Sequence, residues 1–231
     1  MMLSTEGAVL LAYADAVAAT RSRTPQLPPQ PGHPHGVLRI GSPATLLSTR
    51  LPTPLRRFHQ RWPQVSLEIA SVSMGDLPQA VACGEIDCGV LPGGATGAEF
   101  AALGLGYDRL WSESLVLIES ACQAPSVTIL GKVQGCGYQA LLPMAQIECA
   151  LGGNSEVMEM SSSELLLANV VSGRCRAIVP KSLLRSQRGL NGVRTTPLGS
   201  VAVWLIWREN FSPSTRQVLR EVLIRHGEVW H

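Results

Sequence analysis

The sequence predicts an α/β protein of two similar lobes, each built on a parallel sheet. Short strand-like and helix-like segments alternate along the chain, which is typical of parallel strands joined by right-handed crossovers. The alternation is present both before and after a long strand-like segment at 109–120. Small polar residues stand where strands lead into helices, and open parallel sheets bind ligands at such corners. The pattern therefore predicts a binding cleft between two lobes.

The first half alternates between three strands and two helices. Its first strand, 37–41, leads into a predicted helix over 43–61, in which apolar residues recur at spacings of three and four. Ser42 is predicted as the N-cap of this helix and Pro43 as its first residue, where a missing N–H has no cost. The segments that follow are a strand at 65–72, a helix that a capping box of Ser73 and Asp76 opens and Gly84 ends, and a strand at 86–91.

The second half repeats this alternation and closes with a final strand and helix. A turn over 134–139 separates its first strand from its first helix. The predicted strands are 126–133, 155–160, 175–180 and 201–207. The predicted helices run from near Gln139 to Gly152–Gly153, from a capping box of Ser161 and Glu164 to Gly173, and from Ser212–Pro213 to about His226.

The N-terminal segment differs in character from both halves. Within segment 1–22, residues 4–22 are predicted to form a helix with an apolar side. Residues 23–36 contain five prolines, too many for a helix or a central strand, and are predicted to form an extended linker. The organised domain is therefore expected to start at Val37.

The composition describes a globular chain and excludes several functional classes. Of the 231 residues 45% are hydrophobic and 16% are charged, which supplies a sizeable core. A net charge of +2 without any Lys/Arg run excludes a basic nucleic-acid-binding stripe. No segment reaches the roughly 20 apolar residues of a membrane span, and the apolar N-terminus lacks the cationic start of a secretion signal. We therefore expect a cytoplasmic protein without a membrane partner.

The reactive residues form no catalytic or metal-binding motif. The six cysteines make no C-x-x-C pair, and the five histidines do not lie at zinc-ligand spacing from them. Cysteines in apolar segments act as small hydrophobic residues and are typical of a reducing compartment. The chain also lacks G-x-S-x-G and H-E-x-x-H motifs. We predict no enzyme activity, no cofactor and no metal.

Three corners between strand and helix combine small residues with hydroxyl, thiol or phenol groups: 42–45, 135–138 and 161–163. Unpaired N–H donors and a partial positive charge at a helix N-terminus allow hydroxyl groups there to help hold an anion. The alternative is that Ser42 only caps a helix and that its neighbours only fill space. Three such corners in equivalent places favour a binding cleft, and the residues alone leave both interpretations open.

Four motifs, in this order, resemble the effector-binding region of LysR-type transcriptional regulators. They are LSTEGAVLLAYADAV, GVLRIGS with RLPTPLRRFHQRWPQVSLEI, LPQAVACGEIDCGV, and VVSGRCRAIVPKSLL. The resemblance covers essentially the whole chain. It implies two Rossmann-like lobes joined by two hinge strands, the type 2 periplasmic-binding-protein fold. The first lobe would comprise 37–116 and 200–231 and the second 117–199, with hinges near 115–120 and 196–203.

The resemblance also implies an effector site in the cleft. The hydroxyl of Thr45 matches the position at the first helix N-terminus where family members hold a carboxylate or another polar group of the effector. The GCGY turn of the second lobe would face it across the cleft. Related sequences often carry arginine after the tyrosine, where this chain has Gln139, which weakens the case for a strongly anionic effector. The implied effector-binding residues are Ser42, Thr45, Gly135, Cys136, Tyr138, Ser161 and Ser162.

A complete regulator of this family begins with a winged helix-turn-helix domain, whereas this chain starts at the segment that resembles the linker helix, 1–22. We interpret the chain as a fragment prepared without that domain or as a natural truncated relative. DNA would be contacted only through the missing domain. The family pairs the first lobe of one chain with the second lobe of its partner, so a homodimer or homotetramer is expected.

The leading interpretation is a non-catalytic domain that senses a small metabolite, a carboxylate or another polar molecule. A second hypothesis is redox sensing, because peroxide-sensing members of the family use a cysteine pair in this part of the second lobe. Cys136 lies in a turn before a predicted helix, and Cys149 lies near the end of that helix. A helix rise of about 1.5 Å per residue separates them too far for a disulfide unless the helix unfolds. A transport solute-binding protein of the same fold is a third hypothesis.

Overall fold

A computed structural model describes residues 34–94, 96–122, 129–153, 155–186 and 192–227. The predicted helix over 4–22 and nearly all of the proline-rich linker lie outside the described residues. The first half of the described chain folds into one lobe and the second half into another. Strand β8 and its last helix return to the first lobe.

Eight strands of the described chain form one mixed sheet in the order β2-β1-β3-β8-β4-β7-β5-β6. Two of them, β4 and β8, are 15 residues long and run through both lobes. The strands are β1 (Gly36–Ser42), β2 (Val65–Ser71), β3 (Cys88–Gly93), β4 (Gly106–Ser120), β5 (Ile129–Val133), β6 (Glu156–Met160), β7 (Arg176–Pro180) and β8 (Val193–Trp207).

Helices connect the strands within each lobe. A single 3-10 turn, Tyr138–Leu141, follows β5. The α-helices of the described residues are α1 (Ala44–Thr49), α2 (Pro52–Arg61), α3 (Leu77–Cys83), α4 (Ala98–Ala101), α5 (Met144–Leu151), α6 (Ser163–Val171), α7 (Lys181–Ser186) and α8 (Pro213–Gly227).

The pairing of the strands confirms the predicted parallel units in both lobes. In the first lobe β1 is parallel to β2 and to β3, and in the second lobe β5 is parallel to β6 and to β7. The long strands β4 and β8 pair with each other, β8 also pairs with β3, and β4 also pairs with β7, all in the antiparallel direction. The carboxyl ends of β1, β2 and β3 therefore face those of β5, β6 and β7 across the middle of the molecule.

Each lobe has its own hydrophobic core. In the second lobe Leu115 and Ile118 of β4 pack with Leu166 and Leu183, and all four are fully or almost fully buried. In the first lobe one core lies on each side of the sheet, around Phe58 on one side and around Leu77 and Ile206 on the other.

The predicted helix over 43–61 is wrong in its continuity and in its start. It is two helices, α1 and α2, because Pro52 has no N–H to continue the ladder and the N–H of Leu51 bonds to the carbonyl of Leu46. Ser42 is the last residue of β1 rather than an N-cap, and its hydroxyl donates to the carbonyl of Val90, 2.6 Å away. Pro43 takes the N-cap position instead.

Further boundaries in the second lobe differ from the predictions, and the last strand, expected over 201–207, is the 15-residue β8. The helix expected from Gln139 begins only at Met144. Pro143 stands directly before this helix and takes its N-cap position. The N-cap of α6 is Ser162, not Ser161, and its hydroxyl accepts from the N–H of Leu165 at 3.2 Å. The predicted stop of α3 at Gly84 is confirmed by its left-handed φ of 83°.

Candidate functional site

A cavity of about 430 Å³ lies between the two lobes. The first lobe contributes the turn after β2, the end of β3 and helix α4, and the second contributes the end of β5 and the turn that follows it. These are the carboxyl ends of parallel strands, where open α/β sheets bind ligands. The cavity is lined by Ser73, Met74, Gly75, Pro78, Leu91, Pro92, Gly93, Gly94, Glu99, Phe100, Lys132, Val133, Gly135, Cys136, Gly137, Ala140 and Leu141.

Two charged residues of opposite sign stand in this mostly apolar lining. Glu99 belongs to the first lobe, and its carboxylate accepts a hydrogen bond of 2.8 Å from the N–H of Gly94. A Cβ at Gly93 or Gly94 would lie 3.1 Å from that carboxylate, so the two glycines make room for it on the cavity wall. Lys132 belongs to the second lobe and pairs with Glu159 of the neighbouring strand at 2.6 Å. The cavity thus offers one carboxylate and one ammonium group from opposite lobes.

Beside the cavity, three side chains join the lobes, and we call them the Thr45 junction: Thr45, Cys136 and Tyr138. The hydroxyl groups of Thr45 and Tyr138 are hydrogen-bonded at 2.9 Å, and the Cys136 sulfur lies 3.7 Å from the Thr45 hydroxyl. All three side chains are buried. Burial raises the pKa of Tyr138 above its ordinary value, so the phenol keeps its proton even at an alkaline pH that ionises an exposed tyrosine.

A backbone contact joins the lobes on the other side of the same turn. The N–H of Met74 in the first lobe donates to the carbonyl of Gly135 in the second at 3.0 Å. Gly135 has a φ of +74°, and a Cβ there would lie 3.1 Å from the Cβ of Ser73. Glycine is therefore required both by the backbone conformation and by the close approach of the lobes.

A buried ion pair lies beside the long strand β4, where the two lobes adjoin. The Arg50 guanidinium, just after α1, donates through Nε to a Glu113 carboxylate oxygen at 2.7 Å. The other carboxylate oxygen accepts a longer bond of 3.3 Å from the N–H of Ser182 at the start of α7. The Arg50 side chain is 8% exposed and that of Glu113 is 0% exposed. Both charged groups are thus almost completely removed from water.

The structure brings together only some of the residues that the sequence predicted for the effector site. Gly135 and Cys136 line the cavity, and Thr45 and Tyr138 meet behind it. The hydroxyl of Ser42 is engaged with β3, as described above. Ser161 is exposed, Ser162 caps its helix, and neither is part of the cavity lining.

The two cysteines of the redox hypothesis lie in different surroundings. Cys136 is buried in the Thr45 junction, whereas Cys149 is exposed on α5. All six cysteines are free thiols.

Sequence reasoning missed Glu99, Lys132, Arg50 and Glu113, because no local spacing places them near the cleft. The only available signal was a glutamate inside the apolar segment of β4.

Within the described part of the chain, no three His, Cys, Asp or Glu side chains converge as metal ligands would. No described helix is long and apolar enough to cross a membrane. The cavity combines two charged groups with the polar Thr45 junction beside it, a lining of the kind that binds small polar ligands.

A model of the family described as the LysR substrate binding domain matches residues 31–227. The chain belongs to this family. This LysR domain is 26% identical over 190 residues, 80% of its length, to the HTH-type transcriptional regulator SoxR of Arthrobacter sp. (strain TE1826). It is 28% identical over 184 residues, 79% of its length, to the HTH-type transcriptional regulator YofA of Bacillus subtilis (strain 168). In both comparisons it spans 63% of the relative's length.

A solved structure confirms the fold of the LysR domain. The reduced form of the regulatory domain of OxyR2 from Vibrio vulnificus matches with a TM-score of 0.67 at 17% identity, over 88% of this chain and 99% of that one. The family resemblance inferred from the sequence motifs and the predicted class of two α/β lobes are therefore both correct. The two relatives named above are HTH-type transcriptional regulators, and the LysR domain family is that of such regulators.

Proposed function

We propose that this LysR domain senses a small-molecule effector in the cavity between its lobes and passes the signal to DNA-binding domains outside the chain. The observation that supports the proposal most strongly is the cavity of about 430 Å³ that both lobes line. The domain acts as a non-catalytic sensor in the cytoplasm. The regulator to which the domain belongs contacts DNA through a winged helix-turn-helix domain and works as a homodimer or homotetramer.

The effector acts by changing the arrangement of the lobes. The Thr45 junction and the bond from Met74 to Gly135 already connect the two walls of the cavity. A ligand that touches both walls has a different affinity for closed and open lobes, and this difference is what shifts the population. Thr45 is buried behind the lining and bonded to Tyr138, so an effector gains this hydroxyl only by displacing Tyr138. An effector that leaves the bond in place still depends on it, because the bond holds the lobe arrangement that the effector recognises.

The charges of the lining indicate the chemistry of the effector. A carboxylate fits Lys132, where it would compete with the half-exposed Glu159, and an amino group fits Glu99 on the opposite lobe. The apolar side chains between them, such as Leu91, Phe100 and Leu141, suit a short carbon skeleton. A small carboxylate or another polar metabolite is therefore the effector class that we propose.

Self-association is supported by the edges of the sheet. Ile69 on β2 and Val157 on β6 are each 52% exposed, and β2 and β6 are the two edge strands. Apolar side chains on exposed edges are typical of surfaces that pair with another chain. A second copy that pairs its second lobe with the first lobe of its partner would cover both edges.

A thermal-shift screen against small carboxylates, amino acids and aromatic metabolites tests the proposed function. At 100 times its dissociation constant a cleft ligand stabilises the fold by about 2.7 kcal/mol, which gives a measurable rise in Tm. We expect the rise to be lost in Thr45→Val and kept in Ser48→Ala, since Ser48 is an exposed residue of the same helix.

Two results of the screen would contradict parts of the account. The absence of any stabilising compound across the panel would contradict effector sensing by this domain. A compound that stabilises the native chain and Thr45→Val equally would show that the Thr45 hydroxyl takes no part in holding the effector.

A further inference from the structure

We propose that Arg50, the Glu113 carboxylate and the amide of Ser182 form a latch that sets the ratio of closed to open lobes and couples it to the cavity. The latch operates in the effector-free protein. Only its last step, control by an effector, rests on the proposed function.

Glu113 lies at the point where β4 passes from one lobe to the other. Two residues later, at Leu115, β4 begins to pair with Pro180 of β7 in the second lobe. Before that point β4 pairs with the part of β8 that β3 flanks in the first lobe. Register shifts stand on both sides of Glu113, between Arg109 and Trp111 and between Leu115 and Val116. A β-bulge bends a strand locally, so Glu113 occupies the short segment over which the lobes can change their angle.

The Glu113 carboxylate is held from both lobes at once. Arg50 belongs to the first lobe and holds one oxygen at 2.7 Å. Ser182 belongs to the second lobe, directly after β7, and its amide donates to the other oxygen at 3.3 Å. A change in lobe angle moves these two donors relative to each other, and the carboxylate cannot follow both. Opening therefore weakens at least one of the two bonds.

Helix α1 connects this latch to the cavity. Thr45 lies in its first turn and Arg50 directly after its end, about 7.5 Å further along the axis at the rise of an α-helix. The same short helix thus carries one residue of the Thr45 junction and one residue of the latch. A change in lobe angle that strains the Thr45–Tyr138 bond therefore also moves Arg50 relative to Glu113.

The burial of the pair favours a conformational role over simple stabilisation. Removing two charges from water costs more than their attraction returns in many proteins, and apolar pairs of similar volume are often as stable. The Arg50–Glu113 pair lies where the two lobes meet. There its directional hydrogen bonds are complete in the closed arrangement of the lobes and weakened in the open one, so the pair favours closed lobes.

Fluorine NMR of the domain labelled with 3-fluorotyrosine tests the latch without any effector. The chain has three tyrosines, so the spectrum is simple, and Tyr138→Phe assigns the Tyr138 resonance. Thr45→Val supplies the resonance of Tyr138 without its interlobe bond. In the double variant Arg50→Leu/Glu113→Leu, which leaves no buried charge unpaired, we expect the closed-to-open ratio to fall about tenfold or more. The Tyr138 resonance should move toward its value in Thr45→Val.

A second pair of variants covers the case in which the double variant does not fold. Ser182→Pro removes the amide donor, at a first-turn position where proline is tolerated, and leaves Arg50 paired with Glu113. It also removes the hydroxyl, a loss that Ser182→Ala reproduces. Ser182→Pro should move the Tyr138 resonance in the same direction, whereas Ser182→Ala, which keeps the amide, should not. An unchanged Tyr138 resonance in Ser182→Pro, or in a folded double variant, would overturn the latch. Neither result depends on a ligand, so the effector screen can fail or succeed independently.

Discussion

Glu113→Ala is expected to lower the free energy of unfolding by about 3–5 kcal/mol, the usual cost of removing one partner of a buried ion pair. The substitution removes the carboxylate from the Arg50 guanidinium, whose side chain is 8% exposed in the native chain. It also leaves the N–H of Ser182 without the oxygen that it reaches at 3.3 Å. Urea unfolding monitored by tryptophan fluorescence measures the loss as a shift in midpoint.

The matched control is Glu68→Ala, because Glu68 is also a glutamate that pairs with an arginine, in its case across two strands. That pair, with Arg39, has a similar N–O distance of 2.9 Å but side chains that are 36% and 57% exposed. An exposed pair contributes less than about 1 kcal/mol. Equal losses in the two variants would show that burial of the Arg50–Glu113 pair has no special energetic weight.

Gly135→Val is expected to force the lobes apart and to weaken effector binding at least tenfold. A Cβ at this position lies 3.1 Å from the Ser73 Cβ and 3.4 Å from its Cα on the other lobe, closer than carbon atoms pack without strain. The branched valine side chain widens the gap further. Titration of the domain with a compound from the thermal-shift screen measures the change in dissociation constant.

Gly104→Val separates this effect from backbone strain. Gly104 has a φ of +69°, close to that of Gly135, but a Cβ there meets nothing within 4 Å. Both variants should lose the roughly 1–2 kcal/mol that a side chain costs in the left-handed region. Only Gly135→Val should lose affinity, and an equal loss of affinity in both would mean that the contact between the lobes is irrelevant to binding.

The parallel units of the fold were predictable because they depend on local periodicity and on strand-to-helix corners. The meeting of corner 42–45 with corner 135–138 was predictable from the family resemblance, which implies that the GCGY turn faces Thr45 across the cleft. The role of Ser42 was not. A serine before a helix has the same local signature whether it caps that helix or, as here, donates to the carbonyl of Val90 in a neighbouring strand.

The latch and the charged lining were beyond the reach of the sequence for a different reason. Arg50 and Glu113 are 63 positions apart, and no periodicity relates a helix end to a strand interior across that distance. Glu99 and Lys132 each follow ordinary surface patterns, and only the folded chain shows that they face one cavity. The family resemblance implied the cleft and the hinge strands but not these four side chains.

The most direct test of effector sensing is isothermal titration of a compound from the screen into Ala140→Phe and Ala145→Phe. Ala140 lines the cavity, whereas Ala145 is exposed on α5 and is not part of the lining. A phenylalanine at Ala140 fills space that the effector needs. The account predicts that binding is lost in Ala140→Phe and unchanged in Ala145→Phe. Unchanged binding in a folded Ala140→Phe variant would contradict the placement of the effector between the lobes.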